Sequence, residues 1–146
     1  MADILVKDVM KQEVETVDSE TSVLTAVRIM RNKRIGSVIV VEDVEAVGIV
    51  TTTDVLYRLV AEGKDIKNYV VKDVMSGPLI SIDSNETIKK AAELMAKNSI
   101  KKLPVIESNG GLSGIITTSD LIAQKSEFMD ILVNVVIPGK SKYVGS

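Results

Sequence analysis

A seven-residue phrase occurs twice in this chain. Gly48 to Asp54 reads GIVTTTD, and Gly114 to Asp120 reads GIITTSD. A long internal repeat constrains a fold more tightly than composition does, because each copy must form the same elements and bury the same faces. The repeat extends well beyond the phrase. Val6-Lys7-Asp8-Val9-Met10 returns unchanged as Val71-Lys72-Asp73-Val74-Met75, 65 residues on. Thr16-Val17-Asp18 matches Ser81-Ile82-Asp83, and Ala26 to Met30 matches Ala91 to Met95 at the same spacing. The closing phrase is displaced by 66, so the second copy has gained one residue. The turn Ser108-Asn109-Gly110-Gly111 is the natural place for it, since turns accept insertions.

Both copies present their signals in one order. A short extended stretch comes first, at 15–17 and 79–82. Helical patterns follow over 21–33 and 86–97, with capping residues in Ser19 to Ser22 and Ser84 to Thr87 and a first-turn acid at Glu86. Val23, Val27 and Met30 give one helical face, and Ile88, Ala92 and Met95 the other copy's. Two Val/Ile-rich strands come next in each copy, Ser37 to Val41 with Ala46 to Thr51, and Leu103 to Ile106 with Leu112 to Thr117. Polar turns join them, which makes each pair a hairpin. A last helix starts near Thr53 or Ser119, and Leu56, Leu59 and Val60 supply its apolar face in the first copy. The expected fold class is α/β (α+β), two pseudo-symmetric β-α-β-β-α repeats. Residues 1–65 form the first, 66–133 the second and 134–146 a tail. The strands alternate little, which predicts sheets buried on both faces. A unit of about 60 residues buries too little surface to be comfortable alone, so the two repeats are expected to pack sheet to sheet.

Composition narrows the function. Of 146 residues, none is Cys and none is His. Disulfides, thiolate metal sites, a cysteine nucleophile and the commonest general base are all absent, and no metal site or catalytic residue is expected. The net charge of -2 argues against nucleic acid and anionic membranes as main partners. The N-terminal stretch lacks a signal-peptide pattern and no window has the ~20 apolar residues of a membrane span, so a cytoplasmic protein is expected. The six Met read as core filler. Arg31 to Arg34 reads as a solvated helix end, Glu62 to Tyr69 as a polar linker, Phe128 to Ile137 as an apolar extension or contact surface, and Lys140 to Ser146 as a frayed end.

The phrase itself admits two readings. Thr51-x-x-Asp54 and Thr117-x-x-Asp120 have the spacing of a helix capping box. The same residues also suit a nucleotide. Helix N–H groups and the hydroxyls of Thr51, Thr53, Thr117 and Ser119 favour phosphate. A carboxylate repels phosphate but accepts two hydroxyls from a ribose diol. Gly48 and Gly114 leave room for another backbone to approach.

Two such repeats, each ending in Gly-h-h-Thr-x-x-Asp and each opened by Val-Lys-Asp-Val-Met, resemble a freestanding tandem pair of cystathionine-β-synthase (CBS) domains over residues 5–133. The resemblance implies a regulatory module, not an enzyme, that binds an adenosine-containing ligand such as AMP, ADP, ATP, S-adenosylmethionine or NAD in clefts between the repeats. It implies no cofactor. It assigns the ribose to Asp54 and Asp120, and phosphate or ribose hydroxyls to Thr51, Thr53, Thr117 and Ser119. It places the base beside Val14, Glu15, Thr16, Leu79, Ile80 and Ser81, with Ile35 and Ile100 lining the cleft. Lys101 and Lys102 match positions from which basic residues reach phosphates. They stand where the first copy has Gly36 and Ser37, so the Asp120 site is expected to prefer a charged nucleotide, with solvated lysines as the competing reading. Relatives associate as homodimers and act on a partner enzyme or transporter, neither of which this sequence identifies. A structural dimerisation module with vestigial sites remains the alternative.

Overall fold

The computed structural model describes residues 3–124, so the expectations for Phe128 to Ile137 and for residues 134–146 lie outside the described residues. Contacts divide the chain into two compact units. One is continuous, Glu13–Ile80. The other joins Met1–Gln12 to the chain from Ser81 onward. The Val-Lys-Asp-Val-Met segment that opens the first repeat is therefore built into the unit that holds the second phrase, and its repeat at 71–75 into the unit that holds the first.

In the continuous unit, β1 (Thr16–Asp18) is followed by α2 (Val23–Lys33), β2 (Ser37–Glu42), β3 (Glu45–Thr51) and α3 (Thr52–Val55); α1 (Val6–Val9) precedes them and belongs to the other unit. The sheet order is β1-β2-β3, with β1 parallel to β2 and β2 antiparallel to β3. The discontinuous unit repeats this pattern with β4 (Ile82–Asp83), α4 (Ile88–Asn98), β5 (Lys102–Ile106), β6 (Leu112–Thr117) and α5 (Thr118–Ile122). The mixed α/β class and two three-stranded sheets agree with the sequence reading.

The expected burial is present in the middle strands. Val38, Ile39 and Val40 are consecutive and all buried, as are Leu103, Pro104 and Val105. Neighbouring strand residues point to opposite faces, so three in a row means a strand covered on both sides. Val17, Val23, Ala26, Met30, Val38, Val40, Val50, Val55, Leu59, Val71 and Val74 form one core in the continuous unit. The last two come from the repeated Val-Lys-Asp-Val-Met segment, which is thus structural.

Both long helices begin and end alike. Ser22 Oγ accepts from Thr25 N and Thr87 Oγ1 from Lys90 N, while Arg34 and Ser99 close the helices in the left-handed region. Three expectations need correction. Glu86 lies before the Thr87 cap rather than in the first helical turn; its carbonyl accepts from Val6 N. Ala92 is exposed, and the buried stripe of α4 is Ala91 and Met95. Leu56 and Val60 are exposed too, whereas Val55 and Leu59 are buried. The stretch Leu56–Val60 is π-helical, with Ala61 N bonding to Leu56 O across five residues. Val55 and Leu59, four apart, form the face turned to the core, and Leu56 and Val60 lie on the face beside it.

The β2–β3 turn places both Asp43 and Val44 at positive φ, 48° and 64°. This is the two-residue primed turn that matches strand twist. Valine is a poor choice there, since its branched Cβ crowds the following carbonyl, and this side chain is 95% exposed. Val44→Asn is expected to raise stability by about 1 kcal/mol, measured as the urea midpoint at unchanged slope; a fall would contradict the turn geometry.

Candidate functional site

Each phrase runs from strand into helix, and in both units the start of the helix is knotted to the start of the hairpin. Thr52 N donates to Gly36 O at 3.1 Å, and Thr118 N to Lys101 O at 2.9 Å. Ser37 pairs with Thr51 across β2–β3, and Lys102 with Thr117 across β5–β6. In the second unit, Lys101 and Lys102 thus stand at the same end of the β5–β6 hairpin as the Thr-x-x-Asp motif.

The capping reading is realised in full. Asp54 N donates to Thr51 Oγ1 at 3.1 Å, and Thr51 N donates to Asp54 Oδ2 at 2.9 Å. Asp120 N donates to Thr117 Oγ1 at 3.2 Å, Thr117 N to Asp120 Oδ2 at 2.9 Å, and the Thr117 hydroxyl to that same oxygen at 3.0 Å. Thr51 and Thr117 therefore spend their hydroxyls on the helix. Those of Thr53 and Ser119 make no hydrogen bond among the described residues.

Capping uses only Oδ2 of each carboxylate. Oδ1 faces a side chain from the repeated Val-Lys-Asp-Val-Met region, and here the units part. Ser76 Oγ donates to Asp54 Oδ1 at 3.2 Å, with Arg58 Nε 3.7 Å away. Lys11 Nζ donates to Asp120 Oδ1 at 3.0 Å. Lys11 and Ser76 occupy equivalent repeat positions, each the residue after the repeated Met. Sequence reasoning missed both. Their signal was the repeat itself, which ties the residue after each Met to a phrase far along the chain. Arg58 also lacks a basic counterpart; Gln124 stands four residues after Asp120.

Lys102 is half-buried and Lys101 exposed. Burial first, and then the positive charge of Lys11, lower the proton affinity of the Lys102 amine. The residues expected around the base divide between the units. Val14, Glu15, Thr16, Ile35, Leu79 and Ile80 lie in the continuous unit with Asp54, and Ser81 and Ile100 in the unit with Asp120. The Glu15 carbonyl already accepts from Ile39 N at 2.9 Å, and its carboxylate pairs with Lys33 at 2.9 Å. That contact raises the proton affinity of the Lys33 amine. No group of three or more His, Cys, Asp or Glu fit for a metal occurs among the described residues. No helix among them is long and apolar enough to cross a membrane.

The CBS domain model matches residues 6–61 and 71–127. The chain belongs to the CBS domain family and carries two such domains. It is 35% identical over 124 residues to uncharacterized protein MK0525 of Methanopyrus kandleri, covering 84% of this chain and 63% of that one. It is 35% identical over 114 residues to the inosine-5′-monophosphate dehydrogenase of Thermoplasma acidophilum, covering 78% of this chain but 22% of that enzyme. Its fold matches the CBS domain pair of protein MJ0100, solved in complex with 5′-methylthioadenosine and S-adenosyl-L-methionine. The TM-score is 0.74 at 26% identity, over 82% of this chain and 94% of that one.

Proposed function

We propose that this chain is a non-catalytic sensor that binds an adenosine-containing ligand at Asp54, at Asp120 or at both, and passes its state to a partner enzyme or transporter. One observation carries the reading. Both carboxylates cap with a single oxygen and turn the other to a polar side chain, Ser76 or Lys11. A cap needs no second oxygen partner. Ionised carboxylate offers about four acceptor sites, so each Asp can hold its helix and still receive ribose hydroxyls. Thr53 and Ser119, with hydroxyls free of the cap, are the better candidates for phosphate or ribose contact than Thr51 and Thr117. The adenosyl ligands of the MJ0100 pair support the ligand class.

Titration calorimetry with AMP, ADP, ATP, S-adenosylmethionine and NAD tests this. At least one is expected to bind, and Asp54→Asn or Asp120→Asn to weaken it at least about tenfold, the scale of a lost charged hydrogen bond. A ligand at 100 times its dissociation constant adds about 2.7 kcal/mol of stability, so thermal melts provide a second readout. No binding by any adenosyl compound would leave the assembly reading. That reading has its own observation, the exposed Leu56, Tyr57, Val60 and Ile122 on the helices that follow the phrases, which would serve a homodimer.

A further inference from the structure

We propose that Lys11 is a specificity-determining residue of the Asp120 site: it holds Asp120 in the free protein and, together with Lys102, moves onto the phosphates when ribose hydroxyls take the carboxylate, so that this unit selects polyphosphorylated ligands. The proposal rests on the ribose role given to Asp120 above.

The geometry supplies the reasons. Asp120 is only 6% exposed, and Lys11 Nζ sits on the oxygen that capping leaves over. A ligand hydroxyl that reaches this oxygen must share it with the ammonium or displace it. A displaced, part-buried ammonium is costly unless another anion receives it. A phosphate within reach of the flexible lysine stem meets that need. Lys102 adds to the demand. It stands opposite Thr117, half-buried, and the like charge of Lys11 already works against its protonated form. Lys11 is paired with Asp120 while Lys102, near enough to Lys11 to feel its charge, has no carboxylate partner among the described residues, and an incoming anion relieves the imbalance.

The other unit lacks this arrangement. Ser76 stands at the position of Lys11 and Ser37 at that of Lys102, with Arg58 the cation paired with Asp54 among the described residues. Displacing the Ser76 hydroxyl strands no charge. The Asp54 unit therefore has no comparable preference for added phosphates.

The experiment is calorimetry of adenosine, AMP, ADP, ATP and inorganic tripolyphosphate against the full chain and the variants Lys11→Ser, Lys102→Ser and Lys11→Arg, each checked for a cooperative melt. In the wild type, affinity should rise from adenosine to ATP. Either serine variant should weaken ATP about tenfold, the size of one ammonium–phosphate interaction at a part-exposed site, whereas Lys11→Ser should not weaken adenosine, which no longer has an ammonium to displace from Asp120. Lys11→Arg should keep the ATP preference. Affinity independent of phosphate number, or a preference that survives both serine variants, overturns the proposal while leaving the adenosyl reading intact. Tripolyphosphate binding that Lys11→Ser abolishes, with no adenosyl compound binding, sinks the adenosyl reading and with it the ribose-driven release of Lys11, leaving a bare anion site. No binding by any probe overturns both.

Discussion

Gly114→Ala is expected to cost about 2–3 kcal/mol of stability, and Gly48→Ala about 1 kcal/mol. Both glycines sit inside strands where another segment crosses. A Cβ on Gly114 would lie 2.5 Å from the Lys11 carbonyl oxygen and 2.8 Å from Met10 Sδ. That carbonyl is fixed, because Lys11 and Ile115 exchange both backbone hydrogen bonds at 2.9 Å. The clash is therefore resolved by breaking the bridge or bending the strand. At Gly48 the nearest atom is Met75 Sδ at 2.6 Å, with the Ser76 carbonyl oxygen at 3.1 Å. A thioether can turn aside at small cost. Urea unfolding of the two variants gives the comparison, and equal losses would contradict the difference in crossing geometry. Gly114→Ala also shifts the backbone that carries Lys11.

Asp120→Ala should destabilise the fold by about 2–3 kcal/mol, against about 1 kcal/mol for Asp54→Ala. Asp120 accepts from Thr117 N, the Thr117 hydroxyl and Lys11 Nζ while almost wholly buried. Its removal orphans three donors, one of them charged. Lys11 retains 27% exposure, so partial rehydration keeps the loss below that of a fully buried pair. Asp54 is 12% exposed, and its cation is a half-exposed Arg58 at 3.7 Å, a pair worth little at the surface. Its loss is mainly that of a cap. A larger loss at Asp54 than at Asp120 would contradict this ordering.

Much of this structure was legible in the residues, for identifiable reasons. The duplicated order of elements showed because Val/Ile runs, capping Ser and Thr and short polar turns are local signals that each copy repeats. Asp54 and Asp120 stood out because the capping box is a spacing within four residues. Lys11 and Ser76 did not, because their meaning depends on contacts with residues 109 and 22 positions away. The faces of the short helices also escaped. A 3.6-residue period fits Val55 with Leu59 as well as Leu56 with Val60, and only packing chooses the first pair. At Ala91 and Ala92 two small apolar neighbours gave periodicity little to choose between.

The division of the chain has a consequence for the order in which it becomes structured. Glu13–Ile80 is complete once residue 80 has left the ribosome, whereas the other unit needs the first twelve residues to wait for β5 and β6. Closing that long loop carries an entropic cost that local contacts do not. During synthesis the continuous unit is therefore expected to form first, with Met10 and Lys11 unengaged until Gly114 emerges. Pulse-labelling hydrogen exchange would then show protection at Val38 and Val50 before Leu103 and Ile116. The Lys11–Asp120 contact would be among the last made, which places the residue proposed to report ligand at the late, readily reopened end of folding.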